Sequence, residues 1–109
     1  MASRSIFALP DRIGPGKEVS ETLVSAGQVL IERIVSAGYA SPPGTWFDQD
    51  RDEWVLLVQG EAIVSYEQGG EERLATGEWT LIPAHRRHRV AFTTADPPCI
   101  WICCHAPLR

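Results

Sequence analysis

Residues 44–60 have the sequence GTWFDQDRDEWVLLVQG, and this stretch decides the fold. An acidic segment comes first, a nearly all-apolar run from Trp54 to Val58 follows, and Gly60 ends it. A short apolar run that is bounded by polar residues and a glycine is typical of a buried β-strand. The stretch therefore predicts a central strand that turns back at Gly60.

Turn residues divide the chain on either side of this strand at intervals of about eight to twelve residues from Val19 onward. The segments between the turns are rich in β-branched and aromatic residues, and none has an apolar helical period. They predict strands at residues 28–36, 54–58, 61–68, 73–75, 79–82, 88–92 and 100–105. This pattern indicates an all-β barrel of two antiparallel sheets at residues 19–109, preceded by an N-terminal arm at residues 1–18.

The composition is that of a single globular domain. Of the 109 residues, 44% are hydrophobic and 22% are charged, and the net charge of −4 disfavours a nucleic-acid partner. No apolar run approaches the ~20 residues of a membrane span, and the N-terminus is too short in apolar length for a secretion signal. Cys99, Cys103 and Cys104 form neither a disulfide framework nor a zinc spacing. We therefore expect a cytoplasmic protein with reduced, buried thiols and without a membrane partner.

A second stretch, residues 77–88 with the sequence GEWTLIPAHRRH, complements the first. Glu53 and Gly60 are separated by six residues, Gly77 and Pro83 by five, and His88 follows Pro83 by five positions. These spacings resemble the paired motifs of the cupin superfamily. The resemblance covers residues 28–105 and implies a small single-domain cupin with a jelly-roll barrel, also called a double-stranded β-helix.

The resemblance also implies a metal site, but with altered ligands. Cupins that hold a metal usually place two histidines, one residue apart, just before the glutamate. Counting back five and seven residues from Glu53 gives Asp48 and Trp46. We expect Asp48, Glu53 and His88 as ligands of Mn²⁺, Fe²⁺ or Zn²⁺, with Gln49 or His85 as a fourth ligand. The alternative is a direct ion pair between Glu53 and His88 without metal.

Other side chains are expected around the same pocket. Those with positions beside the motifs or on the last strand are Trp46, Gln49, His85, Trp101 and His105. On the seventh predicted strand, the alternation of His88, Val90 and Phe92 predicts that all three face inward.

Two functions remain open at this point. One is a metal-dependent enzyme that acts on a small polar metabolite, and the other is a metal-free binding or sensory module for a small molecule. The four tryptophans and the Ile/Val-rich residues 29–35 favour a homodimer.

Overall fold

The structure, a computed structural model, describes residues 4–109, so residues 1–3 of the predicted arm lie outside the described residues. Within this part of the chain no helix is long and apolar enough to cross a membrane. The chain forms eight β-strands: β1 (Lys17–Ala26), β2 (Val29–Ala37), β3 (Asp52–Gln59), β4 (Ala62–Tyr66), β5 (Glu71–Leu74), β6 (Trp79–Ile82), β7 (His88–Thr93) and β8 (Cys99–Ala106).

The strands form two antiparallel sheets, which confirms the predicted all-β fold. A five-stranded sheet has the order β1-β2-β8-β3-β6, and a three-stranded sheet has the order β5-β4-β7. Alternate side chains of both sheets point between them and make one core. Its buried members include Val55, Leu57, Val64, Ile82 and Trp101.

All seven predicted strands are present, and each of their ends lies within two residues of the predicted end. Strand β1 was not predicted as a separate strand, and it begins at Lys17, inside the predicted arm. Nearly all of its residues are exposed, because it lies at the edge of the larger sheet. A strand with no buried face lacks the apolar alternation by which strands are recognised.

The prediction that Phe92 faces inward with His88 and Val90 is wrong. Val90 pairs with Val64, whereas Phe92 pairs with Ile63, so one extra residue is inserted into β7 at this point. Such a β-bulge reverses the alternation beyond it. Phe92 is consequently 45% exposed, and Thr93 is the next buried residue of the strand.

The carboxylate of Asp52 holds the C-terminal segment against the barrel. It accepts hydrogen bonds from the backbone N–H groups of Ala84 and Leu108, both at 2.9 Å, and it contacts Arg109 Nε at 2.9 Å. The two backbone hydrogen bonds are the largest causes that lower the pKa of Asp52.

We expect the Asp52→Asn variant to melt at a lower temperature than the wild type at neutral pH. A carboxylate with a lowered folded-state pKa stabilises the fold above its unfolded pKa of about 3.8, and this stabilisation is lost as the pH falls through the folded value. Thermal unfolding at neutral and at strongly acidic pH measures the difference, which should shrink in acid. The exposed neighbour Asp50→Asn is the control, and an equal effect of both substitutions would contradict the assignment.

Candidate functional site

A cavity of about 220 Å³ lies between the two sheets and opens at one end of the barrel. Its walls are mostly apolar, and its polar groups gather where β3, β7 and β8 come together. The lining residues that carry polar or aromatic groups are Glu18, Ser20, Glu32, Phe47, Gln49, Glu53, His88, Trp101, Cys103 and His105. An apolar cavity with a few convergent polar groups is the usual form of a small-molecule site.

Glu53 and His88 face each other inside this cavity, as their positions in the two motifs predict. Glu53 Oε1 lies 3.5 Å from His88 Nε2, and both side chains are about nine-tenths buried. Glu53 is directly opposite His105 in the β3–β8 ladder, so the second histidine is also near, with Nε2 3.9 Å from Glu53 Oε2. One carboxylate is thus placed between two imidazoles.

The orientation of the His88 ring is fixed by the backbone. Its Nδ1 lies 2.8 Å from the carbonyl oxygen of Arg86 and must donate to it, because a carbonyl only accepts. Nε2 therefore faces Glu53. Burial by itself lowers the pKa of His88, but the interactions with Glu53 and with the Arg86 carbonyl outweigh burial, and the pKa lies above its ordinary value. A proton on Nε2 would be attracted to the Glu53 carboxylate, although the 3.5 Å separation is longer than a normal hydrogen bond.

His105 has a second carboxylate partner. Its Nε2 lies 3.0 Å from Glu32 Oε1, on the neighbouring strand β2. Cys103 lies between these groups and is 2% exposed. Burial and then the charge of Glu53 raise the pKa of the Cys103 thiol well above its ordinary value, so this thiol is protonated and is not a nucleophile at neutral pH.

The structure does not bring Asp48 to Glu53 and His88. Phe47 and His88 exchange backbone hydrogen bonds of 2.7 and 3.1 Å, which aligns residues 47–49 beside β7 in extended form. Because side chains alternate in such a segment, Phe47 and Gln49 face the cavity. Asp48 and Trp46 occupy the alternate positions, and neither lines it. The inward pair is four and six residues before Glu53, rather than five and seven.

His85 is also outside this cavity. Its Nδ1 lies 2.8 Å from Asp48 Oδ1, and both side chains are largely exposed. Its backbone N–H donates to the Gln49 carbonyl at 2.8 Å, and its φ of 65° is rare for a residue other than glycine. Asp48 and His85 thus hold the segment that carries Gln49. Of the residues expected around the pocket, Gln49, Trp101 and His105 do line the cavity.

Two acceptor oxygens in the cavity wall have no hydrogen-bond partner among residues 4–109. They are Glu53 Oε1 and Gln49 Oε1, and both are buried. An acceptor that is buried without a donor costs about 1–3 kcal/mol. Two such atoms at the same cavity leave acceptors that a water molecule or a bound ligand can satisfy.

The predicted metal set does not fit a metal ion in this arrangement. Only Glu53 and His88 of the three predicted ligands face each other, and catalytic metal sites use three protein ligands. Throughout the described residues, no group of three or more His, Cys, Asp and Glu side chains has a metal-binding arrangement. Phe47, at one of the two inward positions before Glu53, cannot ligate.

Sequence reasoning missed several residues of the cavity. Glu32 lies within the apolar strand β2, and a charged residue among apolar ones is the sequence feature that could have identified it as a site residue. Glu18 and Ser20 come from the unpredicted strand β1, and Phe47 lies between the two positions, Trp46 and Asp48, that the motif spacing singles out.

Comparison with known proteins agrees with this architecture. The family model described as "Cupin domain" matches residues 34–105. A crystal structure from Ralstonia eutropha JMP134, of a protein with the provisional name mannose-6-phosphate isomerase, is 38% identical, with a TM-score of 0.87 over 97% of this chain and 98% of that chain. No curated protein matches the chain.

More distant structures share the fold alone. KdgF from Halomonas sp. is 23% identical, with a TM-score of 0.69 over 91% of this chain and 87% of that chain. An RmlC-like cupin from Desulfovibrio desulfuricans is 16% identical, with a TM-score of 0.76 over 98% and 97% of the two chains. The family match, the two sheets and the positions of Glu53, Gly60, Gly77, Pro83 and His88 together show that this chain belongs to the cupin family.

Proposed function

We propose that the barrel binds a small polar molecule without a metal ion, and that Glu53 and His88 exchange a proton with it. The observation that carries this proposal is the buried Glu53 Oε1, which lacks a hydrogen-bond partner among the described residues and faces His88 Nε2 at 3.5 Å. A carboxylate and an imidazole that share one proton form an acid–base pair, and either can act as base or acid toward a ligand held between them.

The name of the Ralstonia relative supports a sugar-like ligand and an isomerisation. Such a reaction moves a proton away from a carbon next to a carbonyl group and returns it to the neighbouring carbon. In this proposal Glu53 accepts that proton, and His88 and His105 donate to the carbonyl oxygen, because their Nε2 atoms lie 3.5 and 3.9 Å from the Glu53 carboxylate. The apolar walls around this end of the cavity would strengthen these interactions by limiting water.

The competing function is a metal-dependent enzyme, because cupins commonly bind a divalent metal. In its favour, the His88 Nδ1–H is held by a backbone carbonyl, as is usual for histidines that bind metal. Its ligands would be Glu53, His88 and the Gln49 oxygen, with Asp48 turned away. Mn²⁺, Fe²⁺ and Zn²⁺ are the ions that such donors suit.

Metal analysis of protein purified without chelators separates the two functions. We expect far less than one equivalent of Mn, Fe or Zn, and the same content in the wild type and in His88→Ala. One equivalent in the wild type that is lost in His88→Ala would establish the metal-dependent enzyme. Asp48→Ala is the matched control, since its side chain faces away from the cavity.

We also propose that the protein is a homodimer in which a second copy covers the outer face of the larger sheet. This face is unusually apolar: Trp79 is 60% exposed, and its ring centroid lies 6.0 Å from that of Trp54. Leu56 lies beside Trp79 in the β3–β6 ladder and beside Ile102 in the β3–β8 ladder. Contiguous apolar surface of this kind usually marks an interface.

Light scattering should give the mass of a dimer at micromolar concentration. Trp79→Glu places a charge on the proposed interface and should produce a monomer. Phe92→Glu introduces the same charge at an exposed apolar residue of the smaller sheet, and it should leave the dimer intact. A monomeric wild type would refute this interface.

A further inference from the structure

We infer that the cavity selects a neutral polyol and rejects its phosphate ester, and that Gln49 is a specificity-determining residue. The inference rests on the proposed function, and it adds the class of ligand. Hydroxyl groups are the donors that the unpartnered oxygens of Gln49 and Glu53 lack.

Backbone contacts on both sides of Gln49 fix its position. Its backbone carbonyl accepts the His85 N–H at 2.8 Å, and the adjoining Phe47 is paired with His88. On the outer side of the same segment, Asp48 Oδ1 lies 2.8 Å from His85 Nδ1. The Gln49 side chain is therefore held toward the cavity, and it presents its oxygen near the same polar end as Glu53.

The charges of the cavity oppose an anion. Glu18, Glu32 and Glu53 contribute carboxylates, and within residues 4–109 no lysine or arginine lines the cavity. The cavity's two imidazoles, His88 and His105, already face the carboxylates of Glu53 and Glu32. A phosphate dianion would therefore be desolvated beside these groups without a guanidinium, an ammonium or an uncommitted imidazolium as its partner, which is strongly unfavourable.

The arginines nearest in sequence to His88 are engaged elsewhere. The Arg86 guanidinium lies 3.6 Å from the centre of the Tyr66 ring. Arg87 pairs with Glu67 at 3.0 Å, and Arg89 donates to the Ser41 carbonyl at 3.2 Å. None of the three is among the residues that line the cavity.

A second cavity adjoins the first and extends the negative charge outward. Glu32, Gln49 and His105 line both cavities, and the second adds Asp48 and Asp50. Its one arginine, Arg51, donates to the Gln28 carbonyl at 3.3 Å. A molecule that approaches Gln49 from this side passes two further carboxylates, and they disfavour an anion over a neutral molecule.

The test compares D-mannose with D-mannose 6-phosphate, which differ only in the phosphate. Chelator-treated protein is titrated with each probe and followed by NMR, including the side-chain amide of Gln49. We expect D-mannose to shift the NMR signals of the Gln49 side-chain amide and of residues around Glu53. Its affinity should be at least about tenfold higher than that of the phosphate ester. The Gln49→Met variant keeps the side-chain length but not the acceptor, and it should bind D-mannose about tenfold more weakly.

Gln68→Met makes the same substitution at an exposed residue in the turn after β4, so it is the matched control and should bind D-mannose as the wild type does. The inference is overturned if the phosphate ester binds as tightly as the free sugar, if Gln49→Met retains wild-type affinity, or if D-mannose shifts no signal up to its solubility. The proposed function fails separately, when a metal ion is found bound by Glu53 and His88, whichever sugar binds.

Discussion

The Gly60→Ala variant is expected to unfold with a free energy about 3 kcal/mol lower than that of the wild type. Gly60 has a φ of 95°, where a side chain costs about 1–2 kcal/mol. An added Cβ would also lie 2.7 Å from Cys99 Sγ and 2.8 Å from Thr94 Oγ1. Cys99 is fully buried and cannot withdraw, so overpacking adds about 1–3 kcal/mol.

Chemical denaturation of Gly60→Ala and Gly77→Ala separates the two contributions. Gly77 has a similar φ of 85°, but no atom lies within 4 Å of its added Cβ. Gly77→Ala should therefore show the backbone cost alone, about 1–2 kcal/mol. Equal losses in the two variants would show that the contacts of Gly60 with Cys99 and Thr94 do not matter.

The Glu53→Gln variant should bind D-mannose roughly 10- to 100-fold more weakly than the wild type. Hydrogen bonds to a charged group contribute about 1.5–3 kcal/mol, and the substitution replaces the buried carboxylate by a neutral amide. The pKa of His88 should fall in the same variant, because burial continues to lower it while the raising effect of Glu53 is removed. Calorimetry measures the affinity, and an NMR titration measures the pKa.

The raised pKa of His88 also predicts a change in stability with pH. The stabilisation that His88 contributes to the fold is complete below its unfolded-state pKa of about 6.5, and it is lost as the pH rises through its folded-state pKa. Glu53→Gln should flatten this part of the stability profile. Glu71→Gln, an exposed residue of β5, is the control. If Glu53→Gln binds D-mannose like this control, Glu53 does not contact the ligand.

The strands were predictable because their ends are marked by turn residues and their inner faces by apolar side chains. Gly69 and Gly70, for example, both have the positive φ that a two-residue hairpin turn requires. Strand β1 lacks these signals, since it is an edge strand with almost no buried residue. The prediction that Phe92 faces inward failed for a similar reason. The bulge inserts one residue into β7, and this insertion leaves no trace in the apolar pattern of the sequence.

The candidate site was predictable where regular strands carry it. Glu53 and His105 lie opposite each other in β3 and β8, and the alternation that places Trp101 inward also places His105 inward. Residues 46–49 belong to no named strand, and their orientation depends on the bridge between Phe47 and His88. A shift of one residue there exchanges Asp48 for Gln49, so sequence spacing alone could not decide between them.

The partners of Glu53 could not be predicted either. Glu32 reaches His105 through the pairing of β2 with β8, across more than seventy residues of sequence. The lack of a donor for Gln49 Oε1 and Glu53 Oε1 depends on every residue around them. This feature separates the observed contact from a satisfied ion pair, and it can be read only from the three-dimensional structure.

The most direct test of the central claim is an anomalous X-ray diffraction experiment on crystals of protein purified without chelators. The account predicts a water or a polar organic molecule within hydrogen-bond distance of Glu53 Oε1, with no anomalous peak at bonding distance, about 2.0–2.2 Å, from His88 Nε2. An anomalous peak at the absorption edge of Mn, Fe or Zn, bonded to both Glu53 and His88, would contradict it.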